Sequence, residues 1–490
     1  MVRPTLASAL VTVSLTPRKR LLALYVLCLG ALMIFLDTTV VTVALPSIES
    51  NLGFSGADLT WVLNGYMVAF AGFLLLGGRL GDLYGPRRLF LAAIGVFTLA
   101  SLGCGLAQTR IELVTARAVQ GLGGAVVASV SLSLIMTLFV ETAERAMAMG
   151  VFGLVTAIGG SLGELLGGVL TQTFGWHAVF LINLPIGAGV YALSRALLPR
   201  DVPSAAARSH DAAGALSVTA ALMLAVYAVV DANVIGWTSV RTAGLLALAA
   251  VLFAAFILIE ARVAEPLMPL RLFRERNLSC ANAAAVLWAA ALFSWFVCSA
   301  LYLQRVLGYD PLHVGLAYLP ADAATAVLSA GLSARIVARF GIRGPTWIGL
   351  LIGAAGLALF ARAPLAGGFV RDVLPPMVLL GIGAGMAFNP LLLAAMNDVG
   401  PHESGLASGI VNTSFTMGGA LGLAVLTSLA DVRTGTLLRA GGAQRAALNG
   451  GYHLAFGASA LISALAAVLC RALLREPTSA SASTAAPAGE

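Results

Sequence analysis

MGVFGLVTAIGGSLGELLGG (149–168) and SGIVNTSFTMGGALGLAVLT (408–427) are two copies of one glycine pattern, and they decide the fold. Gly150, Gly159, Gly160 and Gly163 of the first copy match four glycines of the second at a constant offset of 259 residues (409 − 150). Glycines at such spacings let membrane helices approach closely. A repeat of this kind predicts a duplicated chain, in which two similar six-helix bundles face each other around a central site.

The composition excludes a soluble protein. Hydrophobic residues make up 59% of the 490-residue chain and charged residues only 10%, whereas soluble domains carry roughly 25% charged residues. The apolar runs are continuous over ~20 residues, which predicts helices rather than the alternating strands of a β-barrel. We therefore expect an all-α membrane protein with about fourteen transmembrane helices. The net charge is +7, but the basic residues lie in short loops, so the charge does not predict a nucleic-acid partner.

The basic loops and the repeat together predict the organisation of the chain. Arginines cluster in the loops of one side, together with Arg18, Lys19 and Arg20, so both termini are expected to be cytoplasmic and the protein to lie in the cell membrane. The expected parts are a cytoplasmic N-terminal segment (1–20), an N-terminal six-helix bundle (21–197), a linker with two extra transmembrane helices (198–278), a C-terminal six-helix bundle (279–471) and a disordered cytoplasmic tail (472–490).

Several motifs resemble one family. LDTTVVTVALPSI (36–48), GRLGDLYGPRR (78–88) and LVTARAVQGLGGA (113–125) resemble signatures of the major facilitator superfamily. Together with the glycine pattern and YLQRVLGYDPLHVGLAYLP (302–320), they make the chain similar to the fourteen-span drug:proton antiporter branch. The resemblance implies export of bulky, often cationic or aromatic compounds by rocking of two bundles. The resemblance also implies that the proton gradient supplies the energy and that no cofactor is needed. One departure is Glu164, which stands where the family usually has proline.

Four ionisable residues lie well inside predicted spans: Asp37, Arg117, Glu164 and Asp322. Each charge at the bilayer centre costs roughly 2.5–3.5 kcal/mol on insertion scales, so such residues tend to be functional. At 1.5 Å per residue, all four lie about 10–15 Å from the outer ends of their spans. This common depth predicts a shared polar cavity that binds protons or substrate.

Glu164 points along the packing face of its helix, because glycines occupy the positions three and four residues away. Two interpretations stay open: a proton or cation site, or a glutamate paired with Arg117 or hydrogen-bonded within the helix packing. Asp322 is the other expected neighbour. It is interpreted as a substrate or proton site, or as a satisfied cavity residue. Asp37 is either a coupling residue, as the resemblance implies, or it hydrogen-bonds Thr38, Thr39 or nearby backbone.

Arg117 corresponds to an arginine that the family is proposed to use in proton transfer. Arginine does not readily deprotonate, so its expected role is to bias a neighbouring carboxylate; the alternative is a static ion pair.

Three further groups of residues complete the expected machinery. The loop motif, in which Arg79 and Arg88 could pair with acids such as Glu144 and Asp82 could cap a helix, either controls conformation or sets topology alone; it comprises Gly78, Arg79, Gly81, Asp82, Gly85, Arg87 and Arg88. The helix-packing motif comprises Gly150, Gly159, Gly163, Gly167 and Gly168. Polar and aromatic cavity candidates are Trp61, Asn64, Tyr66, Asn389 and Asn412.

Other functional classes lack support in the sequence. No GxxxxGK[ST] motif or HExxH pair occurs, so neither ATP nor a catalytic metal is expected, and the chain is not expected to be an enzyme. Uptake of a metabolite and a non-transporting membrane sensor are the rival functions. The expected partners are a small lipophilic substrate, protons and the lipid bilayer, without nucleic acid, and the transporter is expected to act as a monomer.

Overall fold

A computed structural model of the chain describes residues 16–139, 142–201, 212–263, 266, 270–397 and 404–476. These residues are almost entirely helical, and no strand occurs among them. The helices of the first half are α1 (Pro17–Leu52), α2 (Gly56–Leu59), α3 (Trp61–Tyr84), α4 (Pro86–Leu106), α5 (Arg110–Leu138), α6 (Thr142–Phe174), α7 (Ala178–Leu181) and α8 (Asn183–Leu197).

Two helices join this half to a second set of similar size. They are α9 (Ala212–Ile235) and α10 (Val240–Glu260). The helices of the second half are α11 (Arg276–Leu301), α12 (Pro311–Val327), α13 (Ser333–Phe340), α14 (Arg343–Phe360), α15 (Leu374–Asn397), α16 (Ser404–Arg439) and α17 (Gln444–Leu473). A 3₁₀ turn covers Leu270–Arg274, and π-helical turns cover Tyr302–Val306, Leu328–Leu332 and Phe369–Val373.

Most of the long helices are suited to a bilayer. Within the described ranges, ten helices are long and apolar enough to cross a membrane. The all-α membrane fold is thus confirmed, whereas the number of fourteen spans stays a prediction. Two observed helices also pass beyond the predicted boundaries. The first span, expected at 21–45, extends over Pro17–Leu52, and α17 continues into the predicted tail as far as Leu473.

The repeated glycines perform the same packing task in both halves. A Cβ on Gly163 would lie 2.8 Å from the backbone oxygen of Leu36, so α6 fits closely on α1 only without a side chain there. In the second half, Gly422 brings α16 against Ala290 of α11 in the same way. Equivalent glycines thus join equivalent helices, as expected of a duplicated bundle.

The two halves meet at what we call the distal end, the end of the molecule at which α1 finishes and α3 begins. Gln304 Nε2 donates to the backbone oxygen of Val43 at 3.1 Å, and Arg305 forms an ion pair with Glu49. These contacts connect α1 to the π-helical turn that follows α11, so the distal end of the interface between the bundles is closed.

Candidate functional site

Asp37 is the centre of a buried polar network inside the N-terminal bundle. Its carboxylate accepts hydrogen bonds from Arg117 Nη1 at 2.5 Å, Gln120 Nε2 at 2.7 Å and Asn183 Nδ2 at 2.7 Å. Ser101 Oγ accepts a further bond from Gln120 Nε2 at 2.7 Å. All five side chains are 0% exposed and belong to α1, α4, α5 and α8. The charge of Asp37 is therefore compensated by three donors, two on α5 and one on α8.

Arg117 is held as firmly as its partner. Its Nε donates to the backbone oxygen of Val62 at 2.9 Å, and its guanidinium lies over the ring of Tyr66 at 4.3 Å from the centroid. The ring of Phe180 lies 5.7 Å away. A guanidinium keeps its proton and is stabilised by aromatic faces. This arrangement is that of a buried ion pair with a fixed geometry.

Glu164 belongs to a second group, which lies between the bundles. The side chain is 2% exposed on α6, and its carboxyl group interacts electrostatically with the carboxyl group of Asp322 on α12. Two ionised carboxylates at close range repel each other, so such a pair favours retention of one proton. The two acids are therefore a candidate proton site at the junction of the two halves.

Close helix packing brings these two acids together. A Cβ on Gly168 would lie 2.5 Å from the backbone oxygen of Pro311, and a Cβ on Gly315 would lie 2.6 Å from the backbone oxygen of Glu164. Glycine on each helix therefore lets α6 and α12 approach with their backbones in contact. The last glycine of the predicted packing motif thus acts between the bundles rather than within one.

Tyr318 lies one helical turn before Asp322 and lines the same place. It interacts electrostatically with both acids, and its hydroxyl donates to the backbone oxygen of Phe296 at 2.8 Å. The ring of Trp295 packs against Tyr318 with centroids 5.7 Å apart. An aromatic wall therefore adjoins the carboxyl pair.

The four ionisable candidates form two separate pairs rather than one shared polar cavity. The alternative in which Glu164 pairs with Arg117 is wrong, because α5 packs on α1 and α3 whereas α6 packs on α1 and α12. Asp37 faces α5 and forms an ion pair with Arg117, whereas Glu164 faces α12. Asp37 does not depend on the neighbouring threonines, since the hydroxyl of Thr38 donates to a backbone oxygen at 3.0 Å.

The cavity candidates have different surroundings. Trp61 packs beside Tyr227 of α9, with ring centroids 6.1 Å apart, and Tyr66 lies under the guanidinium described above. Asn64 is 0% exposed, and among the described residues its amide nitrogen and oxygen form no hydrogen bond. Asn389 and Asn412 are partly buried on α15 and α16. Among the described residues, Asn64 thus has unused hydrogen-bonding capacity, and so does the buried hydroxyl of Tyr66.

The loop motif ends in a turn that an unpredicted carboxylate completes. Gly85 has φ +91°, and the backbone N–H groups of Arg87 and Arg88 donate to Asp201 at 2.8 and 2.9 Å. Asp201 therefore caps α4. The side chains of Arg79 and Asp82, and the surroundings of Gly150, lie outside the described part of the chain. Glu144, which was expected to pair with this motif, binds Arg20 at 2.8 Å, because α1 and α6 begin side by side.

The second half contains an equivalent helix cap. Gly341 has φ +74°, and the backbone N–H groups of Ile342 and Arg343 donate to Glu476, both at 2.9 Å. Both capping carboxylates follow the last helix of their half, by four residues after Leu197 and three after Leu473. Nothing in the sequence near Gly85 or Gly341 indicated which acids would cap the two helices. Glu476 also lies in the segment predicted to be disordered, and it is ordered.

Comparison with known proteins agrees with this architecture. The family model described as Major Facilitator Superfamily matches residues 27–423. A cephamycin export protein from Amycolatopsis lactamdurans is 38% identical over 83% of this chain and 84% of its own length. A puromycin resistance protein from Streptomyces alboniger is 37% identical over 95% and 93% of the two chains. A lincomycin resistance protein from Streptomyces lincolnensis is 36% identical over 84% and 85%.

Solved structures match in fold. A bacterial homologue of the human lysosomal transporter Spinster, crystallised in an inward-facing, unoccupied conformation, superposes with a TM-score of 0.68 at 17% identity. The match covers 94% of this chain and 97% of that one. The nucleoside transporter NupG, as a D323A mutant, gives a TM-score of 0.66 at 13% identity, over 91% and 99% of the chains.

Proposed function

Because the chain belongs to the major facilitator superfamily, we propose that it exports lipophilic antibiotics or drugs across the cytoplasmic membrane in exchange for protons. Three of its relatives bear names that refer to antibiotic export or resistance: cephamycin, puromycin and lincomycin. These three compounds differ widely in structure, so the relatives support the class of substrate and not one compound.

The distal end is the outer face in this proposal. Arginines are concentrated in the loops at the opposite end, for example Arg87, Arg88, Arg195 and Arg200, and the positive-inside rule assigns that end to the cytoplasm. Both termini are then cytoplasmic. The closed distal contacts correspond to a state in which the outer mouth is shut and substrate enters from the inside.

The carboxyl pair of Glu164 and Asp322 is the observation that carries the proposal. It lies where α6 of one half touches α12 of the other, so rocking of the bundles changes the distance between the two acids. While they are in contact, the pair holds one proton. When the outer mouth opens, the two groups separate and exchange protons with the outside. A cationic compound competes with the proton for the same carboxylates.

Asp37 has a supporting role in this mechanism. Its carboxylate accepts three hydrogen bonds inside one bundle, and Arg117 stays beside it. Rocking moves the bundle as a rigid body and leaves this pair intact. Asn64, with its unused amide on α3, is the polar group that we expect to contact substrate.

Transport in proteoliposomes tests the proposal. The protein is reconstituted with a panel of cationic and neutral antibiotics, and substrate-driven proton movement is measured with and without an uncoupler. Glu164→Gln and Asp322→Asn should abolish proton movement, whereas Asp58→Asn should leave it unchanged, because Asp58 is an exposed acid in a surface ion pair with Arg110.

Four outcomes contradict parts of the proposal. Export that survives the uncoupler excludes proton antiport, and inward movement of substrate with protons establishes the rival, symport. Normal proton movement in Glu164→Gln removes the carboxyl pair from the mechanism. Glu164→Pro, which restores the residue usual in the family, separates the two roles: normal transport in that variant means that backbone shape rather than charge matters.

A further inference from the structure

Arg305 stands between two acids, one in each half of the molecule. It lies in the π-helical turn Tyr302–Val306 and forms an ion pair with Glu49 of α1, in which the side chains are 19% and 26% exposed. The adjacent Gln304 fixes the same turn to α1 through the backbone oxygen of Val43. π-helical turns are rare and frequently occur at functional sites.

The second acid is Asp431 of α16, in the same half as Arg305. Asp431 is largely buried, and Arg305 interacts with it electrostatically. Both residues line a cavity between the bundles, together with Tyr452 and Cys298 of the second half and Thr60 of the first. The cavity has a volume of about 20 Å³, enough for about one water molecule and far too small for a drug. The cavity therefore brings charged side chains together and does not serve as a substrate pocket.

Opening of the distal mouth affects the three charges differently. Glu49 moves away with α1 and becomes accessible to water. Arg305 remains on the second half, where the buried Cys298 of α11 and Tyr452 of α17 line the same cavity. A partly buried charge that loses its partner is destabilising. Asp431 lines the same cavity as Arg305, so it is the acid of the second half that can take over as the partner.

We propose that Arg305 exchanges partners during the transport cycle. It pairs with Glu49 to hold the distal mouth closed, and with Asp431 when the mouth opens. The proposal rests on the alternating access described under the proposed function, but not on proton coupling or on the nature of the substrate. It makes the two acids opponents: Glu49 stabilises the closed state and Asp431 the open state.

Cys298 provides a native probe of the mouth. The thiol lines the cavity and is 1% exposed in the closed structure. A background is made in which the other four cysteines are replaced by alanine: Cys28, Cys104, Cys280 and Cys470. The rate at which a small charged methanethiosulfonate modifies Cys298 is then measured on purified protein in nanodiscs, where both faces are accessible and topology does not affect the result.

The proposal predicts opposite changes for the two acids. In Glu49→Gln, Cys298 should be modified about fivefold faster than in the background. This factor corresponds to the loss of an ion pair that contributes about 1 kcal/mol to the closed state. In Asp431→Asn, Cys298 should be modified several-fold more slowly than in the background. Asp431→Glu keeps the charge, so its modification rate should return towards that of the background. Asp58→Asn is the matched control, because Asp58 is an exposed distal acid whose partner Arg110 belongs to the same half.

Each other result overturns the proposal. Faster modification in both variants means that Asp431 belongs to a static network that closes the mouth. Unchanged rates in both mean that the ion pair does not control opening. Each variant is first checked for a melting temperature close to that of the background, and Asp431→Glu covers the case in which the asparagine does not fold. Absence of drug export by the wild type refutes the proposed function and leaves the modification rates interpretable.

Discussion

Replacement of Asp37 by asparagine should be strongly destabilising. In the wild type, Oδ2 accepts from Arg117, while Oδ1 accepts from Gln120 and Asn183. Asparagine keeps one acceptor and turns an NH₂ group towards the arginine, so two donors face each other and a buried guanidinium loses its countercharge. Removal of one partner of a buried ion pair costs about 3–5 kcal/mol.

A double-mutant cycle separates the ion pair from the general effects of substitution. Arg117→Met removes the charge that Asp37→Asn leaves uncompensated, and methionine fills a similar volume between the two aromatic rings. Replacement of a whole buried ion pair by neutral side chains is often close to neutral. The double variant should therefore be more stable than Asp37→Asn alone.

Thermal unfolding of the purified protein measures both effects, as the fraction that stays monodisperse after heating. Asp58→Asn is the surface control, since its partner Arg110 is 3.9 Å away and both side chains are exposed; such pairs contribute about 0–1 kcal/mol. The reasoning from burial is refuted if Asp37→Asn has the same melting temperature as the surface control. It is also refuted if the double variant melts at a lower temperature than Asp37→Asn.

Three further results are expected. Gly315→Ala should impair transport and the contact of the bundles, because its Cβ would lie 2.6 Å from a backbone oxygen of α6, whereas Gly189→Ala, which has open space, should transport normally. Asp201→Ala should lower stability by about 1 kcal/mol through loss of the α4 cap, measured by melting; asparagine at this position should recover part of the loss. The pKa of Asp310 is lowered because a backbone N–H donates to its carboxylate, so its contribution to stability is present at neutral pH and lost as the pH falls through that pKa. The melting temperature of Asp310→Asn should accordingly differ from wild type at pH 7 and converge with it in acid; a constant difference across pH contradicts this assignment.

Much of the architecture is predictable because hydropathy acts locally. A run of ~20 apolar residues is sufficient to specify a membrane helix, whatever its neighbours are. The glycine repeat indicated the duplication, and the structure shows Gly163 and Gly422 packing equivalent helices together. The candidate acids were also visible in the sequence, since an ionisable group in an apolar run is conspicuous.

The partners of those acids were not predictable in the same way. Asp37 and Arg117 are 80 residues apart, and Gln304 contacts backbone 261 residues away. Estimates of depth along single helices put four groups in one layer, but depth contains no information about the direction in which a helix faces. The caps of α4 and α14 were missed for a similar reason. Each capping acid follows the last helix of its half and is therefore far from the capped helix in the sequence.

The sequence by itself thus determined that this chain is a helical membrane protein built from two similar halves, with buried acids at a few positions. Hydropathy and small-residue spacing suffice for this, since they depend on neighbours along one helix. Only the tertiary structure decided that Arg117 belongs to Asp37, that Glu164 meets Asp322 across the bundles, and that Arg305 lies between Glu49 and Asp431. Those pairings depend on the rotation and order of helices in the bundles, which the packing of the whole chain sets.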